Sequence, residues 1–486
     1  MPARYERFDT MPLAGTWRAG TSGRSAEDVD PYTGEVLTEI PLAGRDDLEL
    51  AYATAVEAGR RWAAVTPEER AAVMRRASRL LEERREEAVD WTIRETGAVS
   101  AVAELTIDLT LGDFYEAASY PFRVAGRILD SLVPGKENRV YRRPVGVVTV
   151  ISPWNVPLHL TNRSVAPALA LGNAVVVKPA GDTPVAGGLF LARLLEEAGL
   201  PPGVLSVVVG PGGEIGDALV EHPVPRVISF TGSTAVGEGI ARKAGLKKLA
   251  LELGGNGPLV VLDDADLDLA VDAAVFGKFF HAGQICMITN RIVVDAAVHD
   301  AFVERYVERV RALPAGDPRA EETVIGPIIN RSQLGTILDK LRAARDDGAE
   351  QLLGGEPTGP TGLVLPPHVL LGTNEVATAR QEVFGPVVTV IRADGEEDAL
   401  RIANDTELGL SSAVMTGDVE RGVRFARRVE AGMCHINDSP VNDDHHTAFG
   451  GDKASGLGRF GGDWVIDELT TDQWVSVQHE RRQYPF

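Results

Sequence analysis

The feature that most constrains this chain is a succession of short, uniformly apolar runs rich in Val, Ile and Leu, at 145–151, 174–177, 205–209, 227–230, 248–253 and 259–262. These runs do not alternate between apolar and polar positions, so neither face of such a strand is made for water. Strands buried on both faces belong to parallel sheets whose crossovers lay helices on each side. A helical stretch between two of the runs opens at Thr183-Pro184 and is closed by Gly199 and Pro201. The spacing predicts a doubly wound α/β unit. From Asp266 a second alternation begins, with helices at 267–280 and 299–313 and strands at 387–391 and 412–415, which predicts another α/β domain. Upstream, 46–96 reads as helical: Thr66, Pro67 and Glu69 supply an N-cap, a first-turn proline and a capping-box glutamate, and Val73, Ala77, Leu80 and Leu81 share a face. The glycine- and proline-rich 354–367 reads as a surface loop. Residues 123–142 and 470–486 fit neither domain; they read as extended edge pieces, which either pair with another subunit or stay on the surface.

Charge narrows the partners. The 486 residues carry 49 Lys+Arg against 70 Asp+Glu, a net charge of −21, whereas a surface that tracks phosphates needs the opposite excess. Nucleic acid and anionic membranes are therefore not expected partners. The two cysteines, Cys286 and Cys434, have no Cys or His at ligand spacing, so neither a disulfide framework nor a metal site is expected, and a reducing, cytoplasmic setting is. The first twenty residues, with Arg4, Glu6, Arg7, Asp9 and Arg18, lack the apolar core of a signal peptide. The longest nearly apolar stretch, 165–177, is broken by Gly172 and Asn173 and is too short for a bilayer, which takes about 20 residues.

Four segments carry candidate chemistry. In His281-Ala-Gly-Gln-Ile-Cys286, glycine and polar neighbours fit an accessible nucleophile, although a lone cysteine is also commonly a buried structural residue. In Leu251-Glu252-Leu253-Gly254-Gly255 a carboxylate ends an apolar strand; burial there raises its pKa toward the range of a general base, while exposure leaves it an ordinary strand-end glutamate. Asn155, in Ser152-Pro153-Trp154-Asn155-Val156-Pro157, follows a strand at the edge where doubly wound sheets bind ligands, and its amide suits a developing oxyanion; alone it is also a common turn. Phe230-Thr-Gly232-Ser233-Thr-Ala-Val-Gly237 is a strand, a tight turn and a helix start whose small residues let a phosphate approach backbone N–H groups. The glycine-rich 212–216 reads as an ordinary strand-to-helix turn.

Taken in order, Pro153-Trp-Asn155, Lys178-Pro179, Phe230-Thr-Gly-Ser-Thr-x-x-Gly237, Glu252-Leu-Gly-Gly255, Gly283-Gln-x-Cys286, Glu382-Val-Phe384-Gly-Pro386 and Phe449-Gly-Gly-x-Lys-x-Ser-Gly-x-Gly-Arg459 resemble the aldehyde dehydrogenase superfamily over most of the chain. The resemblance implies a Rossmann-like, doubly wound dinucleotide-binding domain (1–122 and 143–253), a second α/β catalytic domain (254–465) and a small β oligomerisation arm (123–142 and 466–486) of a homodimer or homotetramer. It implies Cys286 as nucleophile toward an aldehyde, Asn155 and the Cys286 N–H as oxyanion donors, and Glu252 as the base that activates water against the thioester. It also places Ile151, Trp154, Lys178, Gly232, Ser233, Gly237, Leu253, Glu382 and Phe384 around the dinucleotide, with Lys178 and Glu382 at its two riboses.

The segment 432–446 with Phe449-Gly-Gly451 and Phe460-Gly-Gly462 looks like the benzaldehyde, vanillin and salicylaldehyde branch. That implies an aromatic aldehyde, with Tyr115, Val156, Leu160, Ile285 and Met287 as tunnel walls. His445 and His446 are read either as ring-hydroxyl contacts or as surface residues, and Cys434 as structural. Many NAD-preferring members carry glutamate three residues after the lysine; here Gly181 stands there, which implies NADP as well as NAD, with Asp182 as a partial substitute. A coenzyme-A-acylating enzyme, an aliphatic-aldehyde dehydrogenase and a non-catalytic relative are the competing readings; Glu252 favours hydrolysis over the first, and Cys286, Glu252 and Asn155 together oppose the last.

Overall fold

The computed structural model describes residues 3–6 and 8–486, so Arg7, one of the N-terminal charges noted above, lies outside the described residues. The first sheet has six strands in the order Gly456–Leu457, Lys248–Glu252, Val227–Thr231, Val147–Ile151, Ala174–Lys178, Leu205–Val207. Its neighbours are parallel except at the Gly456–Leu457 edge. The chain moves outward from Val147–Ile151 through two strands, then crosses back to lay Val227–Thr231 on the other side. The strand order thus reverses beside Val147–Ile151, and a crevice opens at the carboxyl ends of the two strands there.

The uniform burial expected of these runs is met in full by Ala174–Lys178 and Val227–Thr231, every residue of which is buried, whereas the 145–151 and 248–253 runs have exposed residues at or next to their start, Gly146 and Lys248. The 259–262 run differs. Its strand, Gly257–Val261, belongs to the second sheet, paired with Thr289–Asp295 and Ser411–Met415. An apolar run signals burial on both faces but carries no information about which sheet buries it. The second sheet has seven strands in the order Glu350–Leu353, His368–Leu371, Val387–Ala393, Thr289–Asp295, Gly257–Val261, Ser411–Met415, Met433–Ile436. Only its first strand is antiparallel to its neighbour.

Thr66 caps the helix Pro67–Glu83 with the capping box read from the sequence. That helix packs on Ser100–Arg123, which in turn packs on Pro157–Ala170. The extended pieces form a three-stranded antiparallel sheet, Thr470–Gln478 with Lys136–Pro144 and Arg127–Asp130. It leaves Ile128, Leu129, Tyr141 and Trp474 exposed. The preceding helix, Gly462–Leu469, sinks Val465, Ile466 and Leu469 into the core around the first sheet. Among the described residues no helix is long and apolar enough to cross a membrane, and no group of three or more His, Cys, Asp or Glu is placed to hold a metal ion.

Candidate active site

Cys286 and Asn155 stand where two cavities meet, and both residues line each cavity. The local chain is built for this approach. Glu252 ends the strand Lys248–Glu252, and the next residues must pass within contact of two other segments. A Cβ on Gly255 would meet the Cys286 carbonyl at 2.1 Å, and one on Gly254 would meet a Glu382 carboxylate oxygen at 2.7 Å. Glycine at both positions leaves room for the Cys286 carbonyl and the Glu382 carboxylate beside the strand that ends at Glu252. On its other side Glu252 is paired with Gly456, and Ser455 Oγ donates to the Gly254 carbonyl at 2.6 Å. The glycine-rich motif near the C-terminus therefore serves as the edge that fixes the strand carrying Glu252.

Cys286 follows a strained turn: His281, Ala282 and Gly283 have φ of 51°, 51° and 72° in succession. Hydrogen bonds over-determine it. His281 Nε2 donates to the Asn155 carbonyl at 2.8 Å, Asn155 Nδ2 donates to the Gln284 carbonyl at 2.9 Å, and Gln284 Oε1 accepts from the Ile329 N–H at 3.0 Å. Burial, opposed by the Asn155 carbonyl, holds His281 down at about 4, so its ring is neutral. The Asn155 amide is thereby locked to the segment that carries Cys286, with its second N–H free of that bond.

The electrostatics of Glu252 and Cys286 differ. Glu252 is 1% exposed, and burial pushes its carboxyl up to about 7 while Arg163 pulls it down. Burial, then the Glu252 charge, push the Cys286 thiol up to about 12, again against Arg163. The thiol is protonated at neutral pH; the Glu252 carboxyl acts on it through its charge but lines neither cavity.

One cavity, of about 210 Å³, is walled by Trp154, Gly232, Ser233, Leu253, Glu382 and Phe384 of the expected dinucleotide set. Gly232, in the turn after Val227–Thr231, has no room for a side chain, since a Cβ would meet the Phe230 ring at 2.5 Å, and the helix that follows presents its N-terminus there. Glu382 accepts from the Gly255 N–H at 2.9 Å, and burial raises it to about 7 against that bond, Lys340 and Lys278. Ile151, Lys178 and Gly237 are not on this wall. Ile151 and Lys178 pair at the ends of adjacent strands, where burial lowers Lys178 to about 8 and its Nζ donates to the Pro179 carbonyl. Gly237 lies beneath Leu253, whose side chain a Cβ there would overlap at 2.2 Å. The sequence reading missed Gln333, Thr336, Ile337 and Lys340, which reach the cavity from the helix Arg331–Asp346. Their i, i+3, i+4, i+7 spacing marks one helix face, the only signal that was available.

The second cavity, of about 290 Å³, is largely apolar and includes Val156, Leu160, Ile285 and Met287, as expected. Tyr115 is a correction: it is 66% exposed and absent from the wall. On the helix Ser100–Arg123 the wall is Val102, Leu105, Thr106 and Leu109, and Tyr115 falls on the opposite side of the 3.6-residue turn. Phe276, Phe280, Val441 and Phe449 complete the apolar surface, and Asp438, Asn442 and Asp443 give it a polar margin. His445 and His446 do not face it: His445 Nδ1 bonds Asp113 at 3.2 Å, and His446 is exposed beside Asp444. Cys434 packs against the second core, in the strand Met433–Ile436.

The aldehyde dehydrogenase family model matches residues 17–475. A vanillin dehydrogenase of Corynebacterium glutamicum is 51% identical over 485 residues, covering 98% of this chain and 100% of that protein. The crystal structure of an NAD-dependent benzaldehyde dehydrogenase from Corynebacterium glutamicum superposes with a TM-score of 0.90 at 47% identity, covering 98% of each chain. That of a salicylaldehyde dehydrogenase from Pseudomonas putida G7, complexed with salicylaldehyde, gives 0.94 at 36% identity, covering 98% of this chain and 99% of that one.

Proposed function

The chain belongs to the aldehyde dehydrogenase family, and we propose that it oxidises an aromatic aldehyde to the carboxylic acid, with Cys286 as nucleophile and Glu252 as base. It is an NAD(P)-dependent oxidoreductase. The observation that carries the reading is the position of Cys286 and Asn155 at the junction of the cleft walled by Trp154, Gly232, Ser233, Glu382 and Phe384 and an apolar cavity. The dinucleotide supplies one thing, acceptance of the hydride that leaves the substrate carbon. Everything else is done by this chain. Glu252 takes the thiol proton, Cys286 Sγ bonds the aldehyde carbon, and the oxygen that becomes negative is met by the Asn155 amide and the Cys286 N–H. After hydride loss the carbon is a thioester on Cys286. Once Glu252 has given up the thiol proton to solvent, its carboxylate takes a proton from water, whose oxygen bonds the acyl carbon and expels the thiolate.

Aromatic aldehydes suit the second cavity in size and lining. An apolar cavity of about 150 Å³ holds a benzene ring, and this one, at about 290 Å³, has room for ring substituents. Asp438, Asn442 and Asp443 supply acceptors for a ring hydroxyl at the margin. The relatives named for vanillin, benzaldehyde and salicylaldehyde support the same class. The test is a panel of aromatic and aliphatic aldehydes on purified protein: benzaldehydes are expected to give the highest kcat/KM, and a short aliphatic aldehyde that exceeds them overturns the substrate class.

The chain accepts NADP as well as NAD. Gly181 offers no carboxylate to repel a 2′-phosphate, and a Cβ there would meet nothing, so the space beside it is open. Asp182 accepts from Asn330 Nδ2 at 3.0 Å. Both cofactors are expected to support turnover; strong preference for NAD with no turnover of NADP overturns this. The exposed apolar side chains of the three-stranded arm support a homo-oligomer, dimer or tetramer. The two free cysteines fit the reducing cytoplasm.

A further inference from the structure

Behind Glu252 lies a buried row of charges that the reaction as described does not use. Arg163, on the helix Pro157–Ala170, has its side chain 5% exposed and its guanidinium between the rings of Phe449 and Phe460, at 4.6 and 4.8 Å from their centroids. Those rings are themselves held together by paired backbone hydrogen bonds between Phe449 and Phe460, at 3.0 and 2.8 Å. A guanidinium so clamped is usually bonded through several nitrogens. Here Nη2 reaches Thr231 Oγ1 at 3.4 Å, while Nε and Nη1 have no hydrogen-bond partner among the described residues, and neither do the two Glu252 oxygens.

Arg163 stands between two carboxylates without closing on either. Nη2 is 4.0 Å from Glu252 Oε2, and Nη1 is 3.9 Å from Asp443 Oδ2. Both separations exceed a hydrogen bond but sit inside a medium where opposite charges act strongly. Asp443 is fixed from its far side: His159 Nε2 meets its Oδ2 at 2.9 Å, His159 Nδ1 meets Asp113 at 3.0 Å, and His445 meets Asp113 in turn at 3.2 Å. Burial works against charge on His159, yet Asp113 and Asp443 outweigh it and raise the ring to about 9. Burial likewise opposes ionisation of Asp443, and His159, Arg163 and His445 hold its carboxyl below the usual range. The other charges that bear on Glu252 are Arg459, which favours its ionised form, and Cys286 as the thiolate forms.

We infer that Arg163 and Asp443 are opposed positioning residues that set the protonation of Glu252 for hydrolysis of the acyl-enzyme, Arg163 by favouring its carboxylate and Asp443 by drawing on the same guanidinium. The inference rests on the reading of Glu252 as the base. Arg163 lines neither cavity, and Asp443, although at the margin of the apolar one, acts here through Glu252 and not through its contact with a ring hydroxyl. The row explains why a buried arginine with bare nitrogens is tolerated: its charge is shared between two carboxylates, one held still by His159 and one left free to take and release a proton.

The test is the pH profile of acyl-enzyme hydrolysis, followed by rapid quench after the acylation burst. Arg163→Met is expected to move the acidic limb up by about one pH unit and Asp443→Asn to move it down by a similar amount, as expected for loss of one nearby charge of each sign. Arg163→Lys is expected to bring the limb most of the way back. A purely structural role scales the rate at all pH values and leaves the limb where it is. Asp443→Asn keeps the shape of the side chain that meets His159, so it carries the test if Arg163→Met fails to fold. Limbs that coincide with wild type in the folded variants, or that both move the same way, overturn the inference. Glu252→Gln separates this from the parent reading: if it hydrolyses the acyl-enzyme normally, the base is misassigned; if it does not, while the limbs stay put, only the present inference falls.

Discussion

Cys286→Ala is expected to lower aldehyde oxidation by about 10⁴-fold or more while leaving dinucleotide affinity within a few-fold of wild type. The size follows from the step removed, since without a nucleophile there is no covalent hemiacetal from which hydride can leave, and removal of a covalent nucleophile elsewhere has cost of the order of 10⁶. Selectivity follows from geometry. Cys286 shares the cleft with Trp154, Gly232, Ser233, Glu382 and Phe384, but its backbone is held independently by the His281–Asn155 and Asn155–Gln284 bonds, and none of these uses the sulfur. Loss of Sγ therefore leaves the turn and the phosphate-facing loop in place. Aldehyde-dependent formation of reduced nicotinamide measures the first quantity, and quenching of protein fluorescence by added NAD the second. Activity that survives within tenfold excludes Cys286 as the nucleophile.

How far the site was legible differed residue by residue, for physical reasons. Glu252, Cys286 and Asn155 could be read because each sits in a segment whose backbone is unusual: two glycines, one facing the Cys286 carbonyl and one Glu382, a left-handed turn, a strand end between prolines. Backbone demands leave a local trace in sequence. The parallel strands were legible for a similar reason, since burial on both faces removes alternation. What was not legible depends on contacts between distant segments. Arg163, His159 and Asp443 look like ordinary polar residues on a helix and a loop, and only folding brings positions nearly 300 residues apart within 2.9 Å. Tyr115 failed by helix phase, a matter of which side of Ser100–Arg123 faces the cavity. The apolar run of the strand Gly257–Val261 says only that it is covered; the resemblance, with its boundary at 254, is what put it in the second domain, where it pairs with Thr289–Asp295 and Ser411–Met415.

Glu252→Gln is expected to split the reaction in two. Acylation and the hydride step should survive in part, because the Asn155 amide and the Cys286 N–H still meet the oxyanion. Water attack should fall by about 10²–10⁴-fold, the usual contribution of a positioned base. The signature is a burst of reduced nicotinamide equivalent to the active sites, then a near stop. In the wild type the same carboxyl dictates the pH response. Burial raises Glu252 to about 7, Arg163 restrains that rise, and the working form is the carboxylate, so hydrolysis should climb as pH increases through about 7 and level off above it. Glutamine cannot ionise, and the variant's slow hydrolysis should lose that limb. An added small thiol offers a further discrimination. If the acyl-enzyme of Glu252→Gln is released by thiol but not by water, Cys286 carries a true thioester and the step that needs Glu252 after acylation is the attack of water. If the variant turns over with no burst and with the wild-type limb intact, the base lies elsewhere, and the carboxyl buried beside Cys286 is structural.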